Sequence, residues 1–484
     1  MDGPPQLPPE LWVCVFRFLS TEEKHAVRSC CRLLRGLVDH PSLWKDHTVV
    51  LSDLRRYTYG FWDTLNRRRL TRVAVRHLRR KEWRRLVKFL PALTAIVFVD
   101  GGRQYKETYL DNLHRFPDLR DLGVRNATWD AALMSPSLTQ HLRARLTHLG
   151  VCNVRLPCTV EFVGAVSELV NLRSLLFHHQ GEGFGLGTVR PVPRGVFHRL
   201  LLSLRKLQHL SWGMKEEPPV PLPDDYLSPP DPEQPGASSY GGPALSSLVL
   251  VDYPENALPE NALRSLVSLR SLTVHYRYIR EGMECRLSSW LSPLHQLQSL
   301  TIIGGNSLST YTTTIPPTVT RLTLRVAVTL KDLDSVAPKV PGLQHLDIEQ
   351  NRSSGSLCRR IPMLFPQLRT LRIRSASLWT VKGRPTPLLG RSADPPVTVE
   401  RFSLCIFQVF PSGAGERPAE PGEAAAPAAA GAAGGALLHP QRLPERPPVA
   451  QPQRAGPDQP DPAAVGEQDH RHHRHAAEGP SARV

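Results

Sequence analysis

The chain has 484 residues, with 60 Lys and Arg against 44 Asp and Glu, a formal charge of +16, and 46 prolines. Apolar residues make up 40%, enough for a sizeable core and too many for a chain disordered throughout. No apolar run reaches the ~18 residues a membrane span needs. Met1–Gln6 has neither a basic start nor an apolar run, so no secretory signal is expected. Eight cysteines without C-x-x-C spacing point to free thiols in a reducing compartment, cytoplasm or nucleus.

Pro8 and Pro9 followed by Glu10 predict the start of a helix, because proline suits the first turn and an acid favours the positive end of the dipole. Leu11, Trp12, Val15, Phe16, Phe18 and Leu19 give that helix a wide apolar face. Ser20 or Thr21, with Glu23 behind, offers the cap of a second helix running through Val27, Cys30, Cys31 and Leu34. Pro41 opens a third short helix with Leu43 and Trp44. A unit of roughly 40 residues buries little surface by itself, so its outward apolar residues are candidates for contact with a neighbour or a partner.

Next comes the most basic part of the chain. Residues 55–88 hold 13 Lys and Arg against Asp63 and Glu82, a net of +11, with Tyr57, Tyr59, Phe61, Trp62 and Trp83 interleaved. Arg67, Arg68, Arg69, Arg72 and Arg76 could hold nucleic acid, an acidic protein or phosphate; a solvated helix face is the plain alternative.

From Val73 onward a pattern recurs: an apolar residue, two variable residues, leucine, two more, then leucine, a gap and an apolar residue. It reads Phe116…Leu119…Leu122-Gly-Val124, Leu266…Leu269…Leu272-Thr-Val274, Val340…Leu343…Leu346-Asp-Ile348 and Phe365…Leu368…Leu371-Arg-Ile373. Looser copies centre on Val73, Ile96, Leu149, Leu175, Leu210, Leu248, Leu322 and Phe402, mostly 22 to 31 residues apart. Each L-x-L predicts a short strand with inward leucines, and the stretch between strands returns with its own apolar stripe. One unit cannot bury its leucines alone; stacked units form a continuous core and a parallel sheet. Side chains alternate along a strand, so the variable positions line the opposite, inner face. The charged and imidazole candidates for partner contact there are Arg125, His178, His275, Arg325, Asp347, Glu349, Arg372 and Arg374.

Two longer steps, 35 and 38 residues, mark insertions at about 178–198 and 215–243. The second is rich in proline and acids and is expected to project as a loop. From Pro411 the leucines give way to Ala, Gly and Pro, with 7 positive and 9 negative residues, the composition of a disordered tail. No G-x-x-x-x-G-K-[ST], H-E-x-x-H or G-x-S-x-G motif is present, and His470–His475 lacks the fixed geometry of a metal site. No catalytic residue, cofactor or metal site is therefore expected.

The repeat resembles that of leucine-rich-repeat proteins of the irregular kind, whose asparagine after the strand is matched at Asn126, Asn153 and Asn351. The run Leu7-Pro8-Pro9-Glu10-Leu11 through Leu19, with Cys30-Cys31-Arg32-Leu33-Leu34, Leu37 and Ser42-Leu43-Trp44, resembles an F-box. The combination is similar to the F-box/leucine-rich-repeat substrate receptors of SCF cullin–RING ubiquitin ligases. That resemblance implies an α/β architecture: a three-helix F-box at 7–46, a curved solenoid with a parallel inner sheet at 48–410, and a disordered tail at 411–484. It implies a non-catalytic receptor that grips a Skp-type adaptor, and through it cullin and RING protein, while the repeats hold a protein substrate. Adaptor contact falls on Leu7, Pro8, Glu10, Leu11, Val15, Phe16, Leu19 and Trp44, some of which must serve as core. The alternatives are a non-degradative scaffold and nucleic-acid or acidic-partner binding through residues 55–88; no membrane partner is expected.

Overall fold

The structure, a computed structural model, describes residues 7–375 apart from 46, 53, 77–79, 100–109, 128–135, 157, 183–191, 215–220, 232–239, 255–256, 278–284, 327 and 351–354. Three helices come first: α1 (Pro9–Arg17), α2 (Thr21–Cys30) and α3 (Arg32–Val38). Proline occupies the first helical position of α1, with Glu10 in its first turn. Ser20, rather than Thr21, caps α2. Its hydroxyl accepts from the Glu23 amide at 3.2 Å, and the Glu23 carboxylate accepts from the Ser20 amide at 2.6 Å, a reciprocal capping box. Cys31, in extended backbone, separates α2 from α3. A short 3-10 turn, Pro41–Leu43, delivers Trp44 into the core.

Among the described residues, thirteen strands then form one parallel sheet in strict chain order, curved and open. They are β1 (Val49–Leu51), β2 (Arg72–Arg76), β3 (Ala95–Val99), β4 (Asp121–Arg125), β5 (His148–Leu156), β6 (Ser174–Glu182), β7 (His209–Gly213), β8 (Ser247–Tyr253), β9 (Ser271–Tyr276), β10 (Ser299–Ile303), β11 (Arg321–Arg325), β12 (His345–Gln350) and β13 (Thr370–Ser375). The repeat leucines stand in register across it: Leu122 beside Leu149, Leu149 beside Leu175, Leu210 beside Leu248, Leu272 beside Leu300, Leu346 beside Leu371. Leu300 and its neighbours Leu272 and Leu322 are fully buried. This is the leucine-rich-repeat solenoid. β1, which lacks the leucine lead-in, adds a strand ahead of Val73. Phe402 lies outside the described residues.

A continuous backbone thread holds the coils together. From β3 to β13 the amide just before the strand donates to the equivalent carbonyl one coil back, from Thr94 on Thr71 (2.8 Å), through Gln208 on Arg173 (2.8 Å), to Arg369 on Gln344 (2.7 Å). Asn126 and Asn153 follow their leucines in left-handed backbone, at φ 51° and 55°. That conformation is costly for most residues and tolerable for asparagine. The Asn153 side-chain amide donates to the Asn126 side-chain oxygen at 2.8 Å, joining two coils. Asn351 is outside the described residues.

Helices return the chain on the leucine side. Among them are α4 (Tyr59–Arg67), α5 (Arg80–Phe89), α6 (Pro136–Arg143), α7 (Thr159–Ser167) and α8 (Arg194–Ser203); α4, α5, α7 and α8 bury Trp62, Trp83, Phe162 and Phe197 in the main core. The expected projecting loop at 215–243 is anchored in its described part. Tyr226 and Leu227 are each 1% exposed. The Tyr226 ring stacks on Phe197 at 4.7 Å, and its hydroxyl donates to the Val192 carbonyl at 3.0 Å. Arg194 pairs with Asp225. Two apolar side chains within an acidic, proline-rich stretch thus occupy the place of a return helix. No described helix is long and apolar enough to cross a membrane.

Candidate functional site

The N-terminal helices divide their apolar residues between two faces. Phe16 and Trp44 are 2% exposed, and they join Val13, Val38 and Leu43 in the core. Leu19 is half-buried against that core. Leu7, Leu11 and Val15 remain 39%, 49% and 46% exposed, with Pro8 and Glu10 exposed beside them. Of the eight residues expected to touch an adaptor, Phe16 and Trp44 are therefore core residues, and Leu19 is largely so. Leu11, Val15 and Phe18 follow the i, i+4, i+7 spacing that lines one side of a helix. Phe18, at the C-cap of α1, and Leu33 on α3 are more exposed still, at 85% and 68%. Neither was among the expected contacts, although helical spacing from Leu11 leads to Phe18.

Behind this face the helices are locked to the first coil of the solenoid. The Asp39 carboxylate accepts from Arg28 Nε at 3.0 Å and Arg28 Nη2 at 3.2 Å, and from Arg68 Nε at 2.8 Å. Asp39 and Arg68 are both buried. The Arg68 guanidinium lies 3.7 Å from the centre of the Trp44 ring, a cation–π stack, and Trp44 Nε1 donates to the Val38 carbonyl at 2.6 Å. Burial by itself would raise the Asp39 pKa; the hydrogen bonds and charges of Arg28 and Arg68 outweigh it and hold the carboxyl below its usual value. Lys24 is buried close by, its ammonium 5.7 Å from the Trp44 ring centre and 3.4 Å from His47 Nε2. Desolvation lowers its pKa.

The inner face of the sheet collects the other expected residues in two groups. Arg125 on β4 and His178 on β6 flank Cys152 in the same register row. His178 Nε2 shares a 2.8 Å hydrogen bond with the Ser211 hydroxyl. At the far end, Asp347 on β12 lies between Arg325 on β11 and Arg372 on β13, each 4.0 Å away. Arg372 is 68% exposed and Asp347 is 19% exposed. Glu349 is half-buried in the same strand, while the Arg374 side chain lies outside the described residues. His275, half-buried on β9, stands between the groups. Eight strand spacings separate β4 from β12, roughly 38 Å at ~4.8 Å each; one compact ligand cannot span both groups.

Between them the face is neutral, with Ser211, Val249, Thr273, Thr301 and Thr323 in one row. Near the first group, Ala74, Ala95, Val97, Val99 and Leu176 form a second apolar cluster apart from the main core. One polar set was missed in the leucine pattern because it precedes the strand leucines. Asp121 lies 2.8 Å from His148 Nδ1 and 3.8 Å from Arg72. His209, two strands beyond His148, has its pKa lowered, chiefly by burial and then by the His148 charge.

These two surfaces, an apolar helical face and a long strand face, sit on a recognisable pairing of domains. The family model described as F-box-like matches residues 5–49, and the chain carries that F-box-like domain ahead of a leucine-rich-repeat solenoid. No curated protein matches the chain. Among solved structures, one titled "Crystal structure of TLR13-ssRNA13 complex" is 15% identical, with a TM-score of 0.31, over 66% of this chain and 38% of that one. Another, "Crystal structure of Rad7 and Elc1 complex in yeast", is 13% identical, with a TM-score of 0.35, over 79% of this chain and 93% of that one. The chain thus spans well under half the length of the first of these structures, and at such TM-scores neither resemblance assigns a function.

Proposed function

We propose that this chain is the non-catalytic substrate-recognition subunit of an SCF-type ubiquitin ligase, working in the cytoplasm or nucleus. The observation that carries the reading is the apolar stripe of Leu7, Leu11, Val15 and Phe18, exposed on a domain whose core is already complete without it. Apolar area in water costs about 25 cal/mol per Å2. A Skp-type adaptor that covers the stripe recovers that free energy and links the chain to cullin and RING protein. The inner strand face then holds a protein substrate, through Arg125 and His178 at one end and Arg325, Asp347, Glu349 and Arg372 at the other. The chemistry is positional: the receptor raises the effective concentration of a substrate lysine near a charged ubiquitin carrier. The clamp of Asp39, Arg28 and Arg68 supports this role, because it fixes the adaptor-facing helices against the first coil.

Co-purification with full-length chain tests the reading. Adaptor and cullin are expected with wild type and are expected to be lost with L11D/V15D, two exposed substitutions that leave the core intact. Equal recovery with both proteins would exclude the stripe as the docking surface.

A further inference from the structure

The arginine-rich stretch 55–88 is used by neither surface. Its apolar half folds inward: Trp62 and Leu65 of α4, and Trp83 and Leu86 of α5, are at most 3% exposed. Apart from Arg68, which is buried in the Asp39 clamp, the cations of α4 and α5 are therefore not needed to close the core. Arg67, Arg84, Arg85 and Lys88 are exposed on the outer sides of these two packed helices. Among the described side chains of α4 and α5, Asp63 is the sole acid, 3.2 Å from Arg67 and itself 60% exposed.

Aromatic rings sit among the charges. Tyr59 is 71% exposed and meets Phe89 edge-on at 5.2 Å. Partly exposed Tyr57 and Phe61 stack at 4.3 Å, and the Lys88 ammonium is 5.5 Å from the Phe89 ring. Arginine forks match phosphate oxygens better than lysine does, and a solvated face made only for solubility would mix charge signs.

We infer that the outer face of α4 and α5 binds single-stranded nucleic acid, with Arg67, Arg84 and Lys88 on phosphates and Tyr59 stacked on a base. A duplex hides the faces of its bases and leaves the Tyr59 ring idle. An acidic protein offers carboxylates, but not a planar ring beside every anionic unit of its backbone. Cations along a backbone combined with aromatic platforms is the usual construction of single-strand sites. Each helix is about 15 Å long, so the site covers a few nucleotides and its affinity is modest and sensitive to salt. The inference stands whether or not an adaptor binds the F-box-like domain.

Fluorescence anisotropy of a labelled 20-mer of oligo(U), and of oligo(dT), titrated with full-length chain tests it across a salt series. Binding is expected near 0.1 M salt, with log K falling linearly in log salt. R67A/R84A/K88A should flatten that slope by about 2, at ~0.7 per phosphate contact on a single strand. Y59A, which changes no charge, should weaken binding about fivefold or more. Circular dichroism matching wild type ensures that both variants are folded. Three results would overturn the inference: no binding at 0.1 M salt, an unchanged slope in the triple variant, or Y59A binding like wild type while poly-glutamate of equal charge displaces the oligonucleotide. The last would assign the face to an acidic protein.

Discussion

The F-box-like domain and the solenoid handle their apolar residues in opposite ways. Within the solenoid the leucine rows are covered by the coils on either side, and Leu272, Leu300 and Leu322 are 0% exposed. In the N-terminal helices Val13 and Phe16 go inward while Leu11, Val15 and Phe18 stay in water. A repeat is completed by its neighbours in the same chain; the three helices are completed only on the side that faces Trp44 and Arg68. The difference separates residues that hold the protein together from residues free to hold something else.

That division can be broken at its strong side. Leu300→Ala removes a side chain packed in register between Leu272 and Leu322. It should cost about 2–5 kcal/mol, read as a lower denaturant midpoint, and the upper half of that range is expected because rigid coils on both sides resist collapse. A loss below 1 kcal/mol would mean that the layers are not closely packed. Asp39→Ala strands the buried Arg68 and both donors of the Arg28 fork. Removing one partner of a buried ion pair costs about 3–5 kcal/mol, and the lower end is expected because the Arg28 side chain is 27% exposed. If the loss comes from the junction, hydrogen exchange should rise in α3 and α4 before it rises in β9–β12.

Acid should separate the histidines from the Asp39 clamp by pH. His209 in the solenoid and Asp39 at the junction both have folded pKa values below their ordinary ones, 6.5 and 3.8. In each case the unfolded chain takes up the proton first, so the stabilisation is complete above the ordinary value and fades as pH falls through the lower, folded one. Thermal melts should therefore weaken below pH 6.5 through His209 and through His25, whose pKa at the junction is lowered by burial and by the Arg68 and Arg28 charges, with the Asp39 clamp giving way only below 3.8. Loosening of α3 and α4 near pH 6 that persists in His25→Gln would contradict the assignment. The smallest effect is on the exposed stripe: Leu11→Asp should change stability by no more than about 0.5 kcal/mol, even as it removes partner binding.

Much of this was legible in the sequence, for a physical reason. Every strand leucine must be apolar at a fixed interval, so the centres from Val73 to Leu371 can be read by counting. β1 escapes that count, since Val49–Leu51 is an end strand without the two preceding leucines. The α1 face is different: apolar residues at 11, 12, 15, 16, 18 and 19 surround most of the helix, and periodicity cannot tell Val15 from Phe16. Packing of Trp44 and Val38 decides it. The anchor at Tyr226 was hidden by composition, because proline and acid dominate its surroundings while two apolar side chains determine its place. The Asp39 clamp joins residues 11 and 29 positions apart, a pairing that no local pattern displays.

Hydrogen exchange of the full-length chain, with and without a saturating Skp-type adaptor, is the most direct measurement of the central claim. The account predicts slowed exchange in α1 and α3, around Leu11, Val15, Phe18 and Leu33, with the strands of the solenoid unchanged. Protection confined to the strand face, or none anywhere, would contradict it.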